Sequence, residues 1–197
     1  RQILEVLDET SHPVGIVTKG ALIARDVDIL ARMAERKLAR AYLSVTTLDA
    51  TLARTMEPRA ATPAKRLKAI EALAKAGVPV GVMFAPIIPG LNDAEMESVL
   101  AAARDAGAQT ANYVLLRLPL EIKDLFREWL EAAAPDRAGR VMALVRDCRG
   151  GRDYDSEWGT RMKGAGPFAD MVARRFALAC RRYSLDRRSW ELDPRNS

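Results

Sequence analysis

The chain has 197 residues, 49% of them apolar and 29% charged, and a net charge of +5. That is the composition of a globular domain with room for a sizeable core, not of a disordered or fibrous chain. No apolar run approaches the roughly 20 residues of a membrane-spanning helix, and the start is charged and amphipathic rather than signal-like. A single histidine, His12, excludes a multi-histidine metal site, and the two cysteines, Cys148 and Cys180, lie far apart, outside any metal-like spacing. With no secretory signal, reduced thiols in a cytoplasmic protein are expected. A serine or cysteine hydrolase triad would have to use His12, and no Ser or Cys sits in a nucleophile-elbow context.

The first residues lack a methionine and read as the middle of a helix, so the chain reads as a fragment. An apolar run at 14–19 predicts a first strand, and 21–40 a helix. Residues 42–47, rich in β-branched side chains, predict a second strand. A longer loop, 48–61, follows. Thr62-Pro63 then supplies an N-cap and a proline at the first helical position, and the helix 64–76 stops at Gly77. Residues 78–84 predict the third strand. Asn92 or Asp93 is expected to cap a helix that runs to Ala106 and ends at Gly107. A fourth strand is expected at 111–117 and a fourth helix at 120–134. This alternation predicts βαβ units and a parallel sheet. Beyond residue 135 the pattern changes to a helix at 136–149 ending at Gly150-Gly151. A polar stretch with Tyr154, Trp158 and Met162 follows, and then a last helix at 167–183.

All of the surplus positive charge lies in the tail: residues 137–197 hold 14 Lys and Arg against 8 Asp and Glu. Such a face is either a solvated helical surface or a contact for a polyanion such as nucleic acid.

Residues that could carry chemistry gather at the carboxyl ends of the predicted strands, where backbone groups are free to meet a ligand. Lys19 ends the first strand and is a natural partner for a carboxylate or phosphate, or else an exposed strand-terminal charge. Ser44 and Thr46 share a face with Tyr42 in the second strand; their hydroxyls either satisfy backbone groups or line a ligand site. Glu57-Pro58-Arg59 in the long loop either clamps a ligand or braces the loop. The third strand runs into Ala85-Pro86-Ile87-Ile88-Pro89-Gly90, whose two prolines and glycine fix an unusual strand end. Arg117 ends the fourth strand.

Four ordered motifs carry a family resemblance. They are Val17-Thr18-Lys19 with Leu22 to Asp28 downstream, Leu43-Ser44-Val45-Thr46-Thr47-Leu48-Asp49, Met56-Glu57-Pro58-Arg59, and Pro86-Ile87-Ile88-Pro89-Gly90-Leu91-Asn92-Asp93. Together they resemble the latter half of a radical S-adenosylmethionine (SAM) protein, in the branch related to spore photoproduct lyase. The resemblance covers residues 1–135, and the tail resembles the C-terminal extension of uncharacterised bacterial members.

The resemblance implies an α/β fold: the last four βα units of a partial TIM-like (β/α)6 barrel over 1–135, plus a basic, mainly helical extension over 136–197. It implies two cofactors, SAM and a [4Fe–4S] cluster held by a CxxxCxxC motif, with the cluster cleaving SAM to a 5′-deoxyadenosyl radical that abstracts hydrogen. It places Lys19 and Ser44 against the carboxylate and the amino or ribose groups of SAM, and the Ala85, Pro86, Ile87 and Ile88 segment against adenine. Thr46 and Arg59 join this cofactor-binding set, with Glu57 and Arg117 as further candidates; no catalytic residue is assigned.

The chain departs from the family in having no CxxxCxxC: either the cluster ligands lie in an absent N-terminal part, which the mid-helix start favours, or the chain is a degenerate relative without radical chemistry, and this chain alone is expected to be inactive. The lyase's hydrogen-donor cysteine also belongs to that part, so neither Cys148 nor Cys180 inherits its role. The substrate is unassigned, with nucleic acid suggested by the basic tail. The rival reading is a non-enzymatic nucleic-acid-binding module that uses the barrel half as scaffold. An ordinary TIM-barrel half would continue the strand–helix pattern past residue 135, which the sequence does not do.

Overall fold

The computed structural model describes residues 1–154, 157 and 159–186; Trp158 and the basic end of the tail lie outside the described residues. Four parallel strands form one sheet in chain order: β1 (Val14–Thr18), β2 (Ala39–Ser44), β3 (Val80–Ile87) and β4 (Thr110–Leu115). The connections run through the helices α2 (Val27–Glu35), α4 (Pro63–Lys75) and α5 (Met96–Asp105), which pack against the sheet. A short helix, α1 (Gln2–Glu9), precedes β1 and packs on α2.

The core follows from the alternation of strand side chains. Leu43 of β2 lies in register with Val82 of β3, and both are fully buried, together with Phe84 and the apolar faces of α2, α4 and α5 (Ile29, Leu30, Met33, Ile70, Leu73, Val99 and Leu100). The other set of alternate residues includes Tyr42 and Ser44, in register with Gly81 and Met83. Glycine is required at 81: a Cβ there would fall 2.5 Å from the Tyr42 ring and 2.8 Å from Thr110.

Locally encoded boundaries match expectation. Thr62 caps α4 by accepting from the Lys65 N–H at 3.4 Å, Pro63 opens the helix, and α4 and α5 stop just before Gly77 and Gly107. Other boundaries differ. The expected single helix over 21–40 is a 3-10 helix (Ala21–Asp26) followed by α2, and Arg40 belongs to β2. β2 ends at Ser44, so Thr46 and Thr47 lie past the strand. The expected loop 48–61 contains a helix, α3 (Ala50–Met56), capped by the Asp49 carboxylate, which accepts from Thr51 N–H at 2.7 Å and Leu52 N–H at 3.2 Å.

β3 extends to Ile87 and so includes Pro86. The register explains how a proline is tolerated there. Phe84 pairs with Tyr113 and Ile87 with Leu115, so an extra residue of β3 bulges out of the ladder where Pro86 has no N–H to donate. β4 ends at Leu115, which leaves Arg117 beyond it.

After β4 come α6 (Ile122–Ala133), α7 (Pro135–Asp147) and α8 (Pro167–Arg182). The chain around α8 caps the free edge of β4. Leu115 N–H donates to Met162 O at 2.9 Å, Ala111 N–H to Leu185 O at 3.2 Å, and Thr110 bridges Asp186. Val172, Phe176, Ala179 and Leu185 join the core of the sheet, whereas Leu130, Val141 and Val145 form a second cluster with Ile88 and Leu118. No described helix is long and apolar enough to cross a membrane.

Candidate functional site

The carboxyl ends of β1 and β2 meet at Glu57, which follows α3, and Thr46 links β3 to them. β1 stops at Thr18, whose hydroxyl accepts from the Gly20 N–H at 2.9 Å and turns the chain at Lys19. The Lys19 ammonium donates to Glu57 Oε1. Thr46 Oγ1, just past β2, lies 3.2 Å from the same carboxylate oxygen and 3.0 Å from the Ala85 carbonyl of β3, so its one proton has two acceptors. The other Glu57 oxygen accepts from Arg66 Nη2 at 2.5 Å.

Arg66, on α4, is the deepest member, with 2% of its side chain exposed against 11% for Glu57 and 40% for Lys19. Each of its nitrogens has an acceptor: Glu57, the Ser44 carbonyl (Nη1, 2.9 Å) and the Ala61 carbonyl (Nε, 2.7 Å). Burial pushes the Glu57 carboxyl up, but the hydrogen bonds from Lys19 and Arg66 outweigh it and hold the group below its ordinary value. The three side chains carry two positive charges and one negative, and the surplus sits on the most exposed of them, Lys19.

The β3 end is fixed separately. Asn92, fully buried, accepts from Ile88 N–H at 2.7 Å and donates to the Thr46 carbonyl at 2.7 Å and the Pro86 carbonyl at 3.0 Å. It therefore stitches the Pro86–Ile88 backbone to the end of β2. Asp93 receives Gly90 N–H at 2.7 Å, and Gly90 takes a positive φ of 76° that few other residues tolerate. Glu95 binds the Thr47 hydroxyl at 2.5 Å and the Leu48 N–H at 2.7 Å. The expected capping role of Asn92 or Asp93 is corrected. A 3-10 turn (Asp93–Glu95) precedes α5 with no side-chain cap bond, and both residues instead hold the 86–90 turn.

Of the residues singled out in the sequence, Lys19 and Thr46 are thus joined through Glu57, Ala85 is tied to Thr46, and Ser44 is joined through its backbone to Arg66. Pro86 and Ile88 are held by Asn92, and Ile87 and Ile88 are fully buried. Arg59 is exposed on the turn after Glu57, with no hydrogen bond to the described residues. Arg117 turns to the extension, donating to the Tyr154 hydroxyl at 3.1 Å and lying 3.6 Å from Met162 Sδ; none of these bonds joins it to the other strand ends. Arg66, Asn92 and Glu95 were missed. The available signal for Arg66 was an arginine one turn into a helix whose preceding loop carried an acid.

A cleft of about 580 Å³ opens beside this edge, between α3 and the α6–α7 junction. Leu52, Leu91, Trp129 and Pro135 line it, and Glu95 is the residue it shares with the bonds just described.

Residues 2–103 match the family model of the radical SAM superfamily. The chain belongs to the radical SAM superfamily. It is 32% identical over 146 residues to an uncharacterized protein of Mycobacterium tuberculosis, covering 73% of this chain and 43% of that relative. An uncharacterized protein of Acidianus two-tailed virus is 33% identical over 89 residues (45% of this chain, 29% of the relative). One of Methanocaldococcus jannaschii is 28% identical over 95 residues (48% and 35%). This radical SAM chain spans less than half the length of these curated relatives. Members of the superfamily use SAM and a [4Fe–4S] cluster. The two cysteines here do not fit the cluster: both are buried, burial pushes each thiol up to about 11, and no three metal-ligating side chains gather among the described residues.

Proposed function

We propose that this chain forms the SAM-binding wall of a radical SAM enzyme, the last four βα units of a partial (β/α)6 barrel over 1–135, with 136–197 as an extension that closes the β4 edge. A [4Fe–4S] cluster, held by thiolates that these 197 residues do not supply, would provide the electron for reductive cleavage of SAM. The observation that carries the reading is the Lys19–Glu57–Arg66 cluster beside the 85–88 strand end. A single surplus positive charge suits one carboxylate, and the adjoining apolar strand end suits a flat, uncharged base.

Lys19 takes the carboxylate of SAM. Ser44 and Thr46 face its amino or ribose groups, Ala85 and Pro86 meet adenine with the buried Ile87 and Ile88 packed behind them, and Arg59 lies at the mouth. The kinship to spore photoproduct lyase rests on the order of the four motifs. The full-length protein, reconstituted anaerobically with iron and sulfide, is expected to show an iron–sulfur absorbance band and to release 5′-deoxyadenosine from SAM. Loss of both would sink the reading.

A second reading, a nucleic-acid-binding module on the same scaffold, is favoured by one face of α8. Met171, Arg174, Leu178, Arg181 and Arg182 share an exposed stripe there, 43% and 61% exposed at Met171 and Leu178, while Arg175 is tied to Glu97 at 2.6 Å. Oligonucleotide binding that falls with salt and is abolished by R174E/R181E would support it. Binding indifferent to that double reversal would end it.

A further inference from the structure

We propose that Glu57 is the positioning residue of Lys19, and that Arg66 fixes Glu57, so that an incoming carboxylate meets an ammonium already held in place; this rests on the SAM reading above. Arg66 cannot follow a ligand: it is buried, and all three of its nitrogens have acceptors on separate segments. Its bond to Glu57 Oε2 locks one oxygen of the carboxylate and leaves Oε1 to Lys19 and Thr46. Glu57 is therefore neutralised from behind by Arg66 while it anchors Lys19 in front.

That arrangement answers two problems of anion binding. A free lysine has four rotatable bonds whose freedom must be lost on binding; here it is lost beforehand. A lone glutamate beside the lysine would repel the ligand's carboxylate; here its charge is compensated by the buried guanidinium. An ammonium has three donors, and Glu57 takes one, leaving two for a ligand. The site thus reads a single carboxylate, as on an α-amino acid headgroup, and discriminates against analogues that lack it. Glu57 acts on the ligand only through Lys19.

The test compares the full-length wild-type protein with Glu57→Met, the charge-balanced Glu57→Met/Arg66→Met, Lys19→Met and Lys19→Met/Glu57→Met. Two quantities are measured. One is the labelling rate of Lys19 by an amine-reactive ester without ligand, located by peptide mass spectrometry. The other is calorimetric affinity for SAM and for 5′-methylthioadenosine, which lacks the amino acid headgroup. Without Glu57, Lys19 labelling is expected to rise about tenfold and SAM affinity to fall about tenfold, the scale of one charge-assisted hydrogen bond, with methylthioadenosine affinity unchanged. Lys19→Met/Glu57→Met should bind SAM no worse than Lys19→Met alone.

Unchanged Lys19 labelling, SAM affinity equal to or above wild type in the Glu57 variants, or a further tenfold loss in the Lys19/Glu57 double variant would each overturn the proposal. If Glu57→Met does not fold, the charge-balanced variant carries the same readouts. A wild-type protein that binds neither nucleoside sinks the SAM reading, while the labelling rates still decide whether Glu57 positions Lys19.

Discussion

Lys19 and Lys163 brace opposite edges of the sheet, and their surroundings differ in kind. Lys19, at the end of β1, meets a carboxylate backed by a buried arginine. Lys163, beside β4, has neutral acceptors among the described residues, the Asn112 side-chain oxygen at 2.6 Å and the Tyr113 carbonyl at 2.8 Å. Its ammonium stands 3.4 Å from the centre of the Tyr113 ring, which packs at a tilt of 51° against Phe176 with centroids 4.6 Å apart. Burial pushes Lys163 down to about 8. The cation–π contact and the two carbonyl-type acceptors do not offset the lost hydration as a carboxylate would. One edge is built to keep a charge available; the other uses a lysine as a fastener between the extension and β4.

The sharpest way to break this contrast is at Arg66. Arg66→Met leaves Glu57 half-compensated and orphans the Ser44 and Ala61 carbonyls. Breaking a buried ion pair of this kind costs about 3–5 kcal/mol, to be read by urea unfolding. Removing Glu57 as well should cost less than the two single changes added together. A loss below about 1 kcal/mol for Arg66→Met would show that the edge does not depend on its buried cation.

Lys163 predicts a pH dependence of definite sign. Its folded value lies below the ordinary 10.5, so between about 8 and 10.5 the unfolded chain binds more protons and stability rises with pH, by at most about 1.4 kcal/mol per unit. Cys148 and Cys180 act oppositely. Burial raises both thiols to about 11 from 9, so their contribution is lost as pH climbs from about 9 to 11. Each unfolded thiol is already about half ionised at pH 9, so the lysine effect is read as the difference between the wild type and Lys163→Met, which keeps both cysteines. Guanidinium unfolding between about pH 8 and 9 should show the wild type gaining stability relative to Lys163→Met. A difference that stays flat there would mean that Lys163 keeps its charge without penalty.

The smallest effect on stability is expected at Lys19 itself. Its side chain is 40% exposed, and a pair of that kind contributes roughly 0–1 kcal/mol. Lys19→Met should unfold within about 1 kcal/mol of wild type even though it removes the charge proposed to meet the ligand. A loss comparable to that of Arg66→Met would assign Lys19 to the scaffold.

The parts of the fold legible in the sequence were those set by neighbours along the chain. Thr62-Pro63 and the glycines at 77 and 107 mark helix ends because capping and backbone sterics act within one turn. The strands were found, but most of their ends shifted by one to three residues, since pairing partners rather than propensity decide where a ladder stops. Ser44 closes β2 where it does because Met83 is its last partner. The helix Ala50–Met56 was passed over although Asp49 announces it, its seven residues being too few to show a periodic face.

At the site, the same division holds. Lys19, Ser44, Thr46, Glu57 and the 85–88 segment could be picked out because unusual residues stood at strand ends. Arg66 and Asn92 could not. An arginine in the first turns of a helix looks solvated, and an asparagine before a helix looks like a cap, until the fold buries both.

By itself, then, the sequence determined a parallel α/β sheet, its crossover helices, and which strand ends are chemically equipped, because hydrophobic period and turn residues are local properties. Only the tertiary structure decided that Glu57 joins two of those ends, that Arg66 stands behind it, and that Arg117 faces the extension. Those are matters of which distant groups share a low-dielectric space, and no spacing along the chain encodes that.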